Sequence, residues 1–460
     1  MDTKLTRPIQ RLLAALTVFL LSAVSAKAAS PTAAPLTLSD AIAIALQHGQ
    51  QHQLAQDETR LTQAEVQRTQ AALYPQISFT EAALLGDDPV YVFGSHLRQA
   101  RFTTADFALP ALNQPNAVDN FTTRLSGNWV VFDSFASIEH IHQARARQAA
   151  TQKALARTDQ ELIAHTIAAY TNWVLARKLE SMAQQTVNTA AALAQSSETR
   201  LQAGTTVAAD AMAANVNLAM RQQAWLDAQS QTEIARAQLE AILGVDLPAT
   251  QLPVADLAAP SLPLPSLQQA EEQALQHRTD MQAATLALAS QTFGVRGAKA
   301  GFGPSIHVFG DYEADNPSLV SGGNTNWMIG AELRINLFDR TRAAELAAAN
   351  AEKSLAMDQQ RSLHTDVLLE VRQAYFSAIA AEKMLAVAQG AIAQSQESLR
   401  ITQNRYDAGL TTITELLRAE DAARLSRINY WQAVAHSLTA RTTLDLATGA
   451  LTTQSPVVTQ

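Results

Sequence analysis

The sequence predicts a mainly α-helical protein with short amphipathic strands, built from one unit that occurs twice in tandem. Segments 134–203 and 340–408 contain no proline and a single glycine, Gly390. At 1.5 Å per residue each would form a helix of roughly 105 Å. Between the helices, short segments alternate apolar and polar residues, as strands do. The scarcity of glycine (17) and proline (15) in 460 residues, with 5% aromatic residues, fits close-packed long helices.

The N-terminus has the three parts of a secretory signal peptide. Lys4, Arg7 and Arg11 precede an apolar run over 12–24, and Ala26-Lys27-Ala28 follows. We therefore expect residues 1–28 to be removed, with Ala26 and Ala28 at the cleavage site. No other apolar run approaches the roughly 20 residues that a spanning helix needs, so we expect no such helix.

Charge and cysteine content exclude several classes of protein. The formal net charge is −8 and there is no cysteine. Disulfides, thiolate catalysis, cysteine metal sites and a lipid anchor on an N-terminal cysteine are therefore excluded. The acidic balance argues against a nucleic-acid partner.

The duplication is visible as landmarks at constant spacing. Landmarks before the strands lie 229 positions apart, and those after them 205 or 206 apart. The first copy therefore carries an insertion, which we place within 85–120. The paired landmarks are His48 and His277, Pro75 and Pro304, Phe132 and Phe338, Tyr170 and Tyr375, and Gly204 and Gly409.

We predict two units, 36–244 and 267–451, joined by a proline-rich linker at 245–266 and followed by a loose tail at 452–460. Each unit reads helix, β-hairpin, long helix, shorter helix, and the first helix is expected over 39–73. The two shorter helices, stacked end to end, match one long helix, as a hollow cylinder of helices requires. The expected bounds of the remaining elements are 76–133, 134–203 and 207–243 in the first unit, and 305–338, 340–408 and 411–448 in the second.

The strands have one apolar and one polar face. In the second hairpin, Trp327, Ile329 and Leu333 alternate with Asn326, Glu332 and other polar residues. This pattern is typical of a lipid-facing barrel with a water-filled interior. A half-buried sheet of a soluble protein alternates in the same way, so the strands alone leave both possibilities open.

The most specific motif is a helix–turn–helix that occurs twice. The first copy reads Arg200-Leu201-Gln202-Ala203-Gly204 with Asp210 beyond it, and the second reads Arg405-Tyr406-Asp407-Ala408-Gly409 with Glu415 beyond it. A glycine suits the positive φ that ends a helix, and an acid suits the first turn of the next helix. A turn alone does not explain the repeated arginine. Over about 36–451 the pattern resembles the TolC family of outer-membrane efflux proteins.

This resemblance implies the architecture and the location. The protein would be a homotrimer in which each protomer gives four strands to a shared twelve-stranded membrane β-barrel and its long helices to an α-barrel. It would lie in the outer membrane, in contact with lipid, with a long periplasmic portion. Its other partners would be a periplasmic adaptor (membrane fusion) protein and an inner-membrane pump or ABC exporter.

The resemblance also places adaptor docking and a periplasmic gate at the two hairpin tips. Where some relatives carry a second acid beyond Glu415, this chain has Arg418, so a strongly cation-selective entrance is not implied. The residues assigned to docking and gating are Arg200, Leu201, Ala203, Gly204, Asp210, Arg405, Tyr406, Ala408, Gly409 and Glu415.

The functional hypothesis is an outer-membrane channel that forms the exit duct of a tripartite efflux pump. It would passively export small toxic compounds or metal ions from the periplasm to the exterior. One alternative is the channel of a type I protein secretion system, and another is a periplasmic coiled-coil scaffold without a pore. Because the sequence contains neither H-E-x-x-H nor G-x-S-x-G, we expect no catalytic, cofactor or metal site and no enzyme activity.

Overall fold

The computed structural model describes residues 35–253, 257–258, 263–319 and 323–459. The predicted signal peptide, with Ala26 and Ala28, lies outside the described residues. So do parts of the predicted linker.

The first unit opens with two helices rather than one. Helix α1 spans Leu38–His48 and α2 spans Gln50–Ala71, and Thr37 caps α1 by accepting a hydrogen bond from the Asp40 amide at 3.0 Å. The prediction of one continuous helix was wrong, because the chain is extended at Gly49 (φ −60°, ψ 128°). The carbonyl of His48 passes so close to Gly244 that a Cβ there would lie 2.5 Å away. This tertiary contact fixes the break, at a residue with low helix propensity.

A long hairpin follows, and then the two remaining helices. Strands β1 (Gln76–Gly86) and β2 (Val118–Phe132) are joined by an insertion that has its own secondary structure. The other elements are α3 (Pro89–Arg98), a 3₁₀ turn (Thr104–Phe107), α4 (Leu109–Asn113), α5 (Ala136–Gln202) and α6 (Ala208–Leu243).

The second unit repeats this order without the insertion. Its first helix is again divided, here at Arg278 (φ −61°, ψ 126°). Its elements are α7 (Leu267–His277), α8 (Thr279–Ala300), β3 (Ser305–Asn316), β4 (Asn324–Arg334), α9 (Arg340–Asp407) and α10 (Ile413–Ala447).

The strands form one antiparallel sheet in the order β1-β2-β3-β4. Phe79 is opposite Leu125, Leu125 is opposite Tyr312, and Tyr312 is opposite Trp327, so these four side chains form a row on one face. They are 69%, 48%, 51% and 76% exposed, respectively. The sheet therefore presents an apolar face that this chain leaves uncovered.

Each unit has its own apolar core, where its shorter helices pack on its long helix. In the first unit Trp173 of α5 lies against Leu239 and Leu243 of α6. In the second unit Val367 and Val371 of α9 lie with Leu444 of α10. The tandem duplication is thus also a duplication of the core.

The C-terminal segment joins the two units. Leu451 and Val458 are 0% and 5% exposed and pack with Ile42, Ile163 and Ile167 of the first unit. A short helix, α11, spans Pro456–Thr459. The tail expected to be loose over 452–460 therefore contains a packed side chain, that of Val458, in a gap between the units.

Among the described residues, one helix is long and apolar enough to cross a membrane by length and composition. It is α9, with an 18-residue window of mean hydropathy 1.2 that is 11% buried. It passes by length and composition only, so the expectation of no spanning helix stays a prediction. One such window is weak evidence of a span. A span needs about 20 residues, and α9, with 68 residues, extends far beyond that length.

Candidate functional site at the hairpin tips

Both tips turn on a glycine in the left-handed region. Gly204 and Gly409 each have φ +72°. The amide of Thr205 donates to the carbonyl of Arg200 at 2.9 Å, and the amide of Leu410 donates to that of Arg405 at 2.8 Å. These are the hydrogen bonds of a Schellman helix end. They need the glycine but not the arginine side chain, since any residue supplies the carbonyl.

The space around the tip glycines is open. A Cβ built on either glycine meets nothing within 4 Å, and the preceding Ala203 and Ala408 are exposed. The glycines are therefore required for their φ alone, and the outermost surface of both tips is free of other parts of the described chain.

The two copies begin their second helix differently. In the second copy Thr412 is the N-cap and accepts from the Glu415 amide at 3.4 Å. In the first copy Val207 occupies the N-cap, and the Thr206 hydroxyl instead donates to the Asp210 carboxylate at 2.8 Å. Both acids lie in the first helical turn, where the helix dipole stabilises negative charge.

Arg200 of the first tip reaches across to the second tip. Its guanidinium carbon lies 5.1 Å from the centre of the Tyr406 ring, and its Nη2 donates to Asp407 Oδ1 at 3.5 Å. Tyr406 is only 9% exposed, so one face of this contact is shielded from water. The structure thus brings Arg200 and Tyr406 together and joins the two units through them.

The remaining predicted site residues are not part of this contact. Arg405 is exposed, and Glu415 is paired with Arg418 at 2.7 Å, both side chains being more than half exposed. Leu201 is half-buried, and an apolar cluster lies beneath the tips. That cluster consists of Ala194, Ala214, Tyr406, Ile413 and Leu416.

A polar layer lies between the helices next to this cluster. Arg221 of α6 binds Asp421 of α10 at 2.6 Å, and Arg424 binds the same carboxylate at 3.2 Å. Arg221 and Arg424 border a pocket of about 230 Å³. Burial raises the pKa of the neighbouring Glu420 above its ordinary value, Arg221 opposes the shift, and Asp421 adds to it.

Sequence reasoning missed the acids of these contacts. Asp407 lies inside the tip motif, and its counterpart in the first copy is Gln202, so the difference between copies was the available signal. Arg221 and Asp421 are 200 positions apart, and no local pattern joins them. Within the ranges that the structure describes, no group of three His, Cys, Asp or Glu residues could hold a metal ion.

Solved structures with the same fold are outer-membrane channels. The chain matches CusC with a TM-score of 0.75 and 18% identity, covering 91% of this chain and 94% of CusC. It matches the CmeC channel of Campylobacter jejuni with a TM-score of 0.76 and 17% identity, covering 91% and 87%. It matches the open state of the MtrE channel from Neisseria gonorrhoeae with a TM-score of 0.72 and 18% identity, covering 90% of this chain and 91% of MtrE. These likenesses confirm the predicted fold class.

Two curated relatives match over part of their length. Protein CyaE of Bordetella pertussis is 28% identical over 300 residues, which are 64% of this chain and 63% of that protein. Outer membrane protein OprJ of Pseudomonas aeruginosa is 26% identical over 192 residues, or 41% and 40%. The chain thus spans less than two thirds of either relative.

A family model described as outer membrane efflux protein matches residues 41–245 and 271–450. The two matched ranges follow the two units and leave out the linker between them. The chain therefore belongs to the outer membrane efflux protein family, whose members are outer-membrane channels rather than enzymes, and this confirms the predicted family and its location in the outer membrane.

Proposed function

We propose that the protein is the passive exit duct of a tripartite efflux assembly, carrying small toxic compounds or metal ions from the periplasm to the exterior. One observation carries the proposal above all others. A sheet with an exposed apolar face is joined at one end to helices of 67 and 68 residues. Such helices are about 100 Å long, so one chain supplies both a membrane-facing and a periplasm-spanning part.

The four strands need further copies of the chain. Strands β1 and β4 are the edges of the sheet, and lipid does not tolerate open strand edges. Three copies would close a twelve-stranded barrel with the apolar face outward. Eight strands enclose little more than side chains, and sixteen leave an aqueous channel, so twelve suit a conduit for small molecules. A homotrimer is therefore part of the proposal.

The tips support two roles, docking and gating. Arg405, Ala408 and Gly409 are exposed at the end of the long helices, where a periplasmic adaptor would reach them. Arg200, Tyr406 and Asp407 join the two units of one protomer and would hold the entrance narrow until the adaptor binds. An inner-membrane pump would supply the energy, because a conduit needs no catalytic site of its own.

Type I protein secretion remains the alternative function, because a secreted protein would leave through the same duct. A scaffold without a pore has no use for an exposed apolar sheet face. Deletion of the gene separates the cargoes. Increased sensitivity to small toxic compounds or metals supports efflux, whereas loss of a secreted protein with unchanged sensitivity supports secretion.

The channel itself is tested by conductance. Detergent-extracted protein is sized by light scattering and inserted into planar bilayers. Discrete conductance steps from a trimer are expected. A protein that leaves washed membranes in carbonate and gives no steps would overturn the proposal.

A further inference from the structure

The insertion of the first hairpin, residues 87–117, lies at the end of the sheet away from the long helices. The helices join the sheet at Gln76, Phe132, Ser305 and Arg334, and the insertion joins the opposite ends of β1 and β2. At the corresponding place the second unit has only seven residues, 317–323, between β3 and β4. The tandem units therefore differ most at this end.

The insertion folds back over the polar face of the sheet. Arg98 binds Glu313 at 3.2 Å, and its carbonyl accepts from the Asn326 side chain at 3.5 Å. Glu313 also binds Arg124 at 2.5 Å. Arg124, Glu313 and Asn326 are cross-strand partners in one row. The next row is Leu125, Tyr312 and Trp327, which point to the apolar face because successive strand residues alternate.

A second anchor is buried beneath the insertion. Gln99 is 1% exposed and donates to the Asp119 carbonyl at 2.8 Å and to Asn120 Oδ1 at 2.9 Å. Asn120 in turn donates to Asp315 Oδ1 at 2.7 Å. Asp315 is fully buried. If the insertion lifted off, this network would lose its cover and Gln99 would lose both acceptors, so the seated position is favoured.

The insertion is itself a packed element. Phe102 makes edge contacts with Phe93 and Phe107, at ring-centre distances of 4.7 and 5.1 Å. The Nδ1 atom of His96 lies 3.2 Å from Oδ1 of Asp106. The Tyr91 hydroxyl lies 3.0 Å from the carbonyl oxygen of Leu84 and 3.2 Å from that of Val118, and its one proton is shared between them, which closes the base of the insertion. The segment is therefore held in place from within as well as from the sheet.

We propose that residues 87–117 form a collar inside the outer mouth of the pore, which sets an upper size limit on what leaves the channel. The inference rests on the proposed channel, in which the polar face lines the lumen. Twelve strands 4.8 Å apart and tilted by about 40° give a barrel about 24 Å across. A helix is about 10 Å wide. Three inward helices, one from each copy, would therefore occupy most of the opening.

The test uses the absence of cysteine from the chain. Asn128→Cys places one thiol on the lumenal face, four residues along β2 from Arg124 and so about 14 Å deeper. Intact cells are treated from outside with a small maleimide or with a maleimide on a bulky polyethylene glycol chain. This readout does not depend on the periplasmic entrance, which would limit conductance in series. We expect the small reagent to label and the bulky one to be slowed several-fold.

Two changes should relax the size limit. One replaces residues 87–117 with the seven residues 317–323, and the other is Arg98→Ala with Glu313→Gln, which releases the ion pair but keeps the insertion and its Gln99 anchor. The bulky reagent should label nearly as fast as the small one in the first variant, and the difference between the reagents should narrow in the second. The matched control is Glu81→Gln, which removes a strand carboxylate from the opposite face, where it accepts from Thr123 at 2.6 Å. The control should retain the difference between the reagents.

The outcomes separate the collar from the channel. If the small and the bulky reagent label Asn128→Cys equally fast while its insertion is intact, the collar is overturned and the channel stands. If both variants leave the bulky reagent slow, the collar is likewise overturned. If the small reagent fails to label Asn128→Cys in every variant, the polar face does not line an open lumen, and both proposals fall.

Discussion

The two hairpin tips share a backbone but use their side chains differently. Gly204 and Gly409 have the same φ of +72° and the same open surroundings. Yet Arg200 lies over Tyr406 and pairs with Asp407, whereas its counterpart Arg405 is exposed. The duplicated motif has therefore kept its turn while its arginines have come to occupy two environments.

The difference follows from two positions that changed between the copies. The first tip has Leu201 and Gln202 where the second has Tyr406 and Asp407. Only the second pair offers an aromatic face and a carboxylate, the two groups that a guanidinium prefers. Arg200 of the first tip thus binds the second tip, whereas Arg405 of the second tip is exposed. We infer that Arg200 acts in gating and Arg405 in docking.

The largest expected effect comes from the shared feature, the glycine. Gly409→Val or Gly204→Val places a β-branched residue at positive φ, which costs about 1–3 kcal/mol and reshapes the tip. Because a Cβ built on either glycine meets nothing within 4 Å, the damage should stay local. We expect co-purification with the adaptor to be lost while trimers still reach the outer membrane.

Gly390→Ala is the control for this pair of variants. Gly390 also has open space around its Cβ position, but it lies inside α9, where alanine favours the helix by about 1 kcal/mol. The Gly390→Ala variant should bind the adaptor normally. Equal loss of adaptor binding and membrane insertion in the tip variants would argue against a docking surface.

The next largest effect distinguishes the two arginines. Arg200→Ala removes a cation–π contact of about 0.5–1 kcal/mol and a partly exposed ion pair of about 0.2–1 kcal/mol. The closed entrance should therefore open several-fold more often in bilayer recordings. Arg405→Ala should leave conductance unchanged and weaken adaptor binding. Identical phenotypes for the two variants would remove the functional difference between the tips.

The helix breaks show where local sequence reasoning stops. An apolar helical pattern continues through Gly49 and through Arg278, and neither position was expected to end a helix. Arg278 is 2% exposed and binds Asp280 at 2.6 Å and Glu370 at 2.5 Å. Gly449 approaches its backbone so closely that a Cβ would lie 3.1 Å away. Both breaks are set by residues distant in sequence, so propensity could not locate them.

The candidate site was predictable only in its local part. The Arg-x-x-Ala-Gly turn could be found because its hydrogen bonds span six residues and its glycine has a backbone reason. The partners that give each arginine its environment could not, since Asp407 lies 207 positions from Arg200. The same holds for the insertion, whose Arg98 meets Glu313 at a separation of 215 positions. Strand alternation predicted the polar face but not the segment that covers it.

A smaller effect should appear as pH dependence next to the tips. Because burial raises the pKa of Glu420, the packed bundle favours its protonated form. Its stabilising contribution is present below its ordinary pKa of about 4.3 and is lost as pH rises through the raised value. Conductance should therefore increase as the pH rises through that raised pKa. Glu420→Gln should flatten this part of the profile, and an unchanged profile would exclude Glu420 as its source.

The smallest effect concerns the acids that the two tips place in the first turn of their second helices. Glu415 is already paired with Arg418 at 2.7 Å, whereas Asp210 accepts only a neutral hydroxyl, that of Thr206, among its described side-chain contacts. Glu415→Gln should therefore lower cation preference, because it removes a negative charge and also leaves the positive charge of Arg418 unpaired. Arg418→Ala should raise that preference, and Asp210→Asn should lower it less than Glu415→Gln does, because it leaves no cation unpaired. Reversal potentials in a salt gradient measure all three. A larger loss with Asp210→Asn than with Glu415→Gln would mean that the unpaired Arg418 does not reach the ion path in the open entrance, and the first tip would then control ion selectivity.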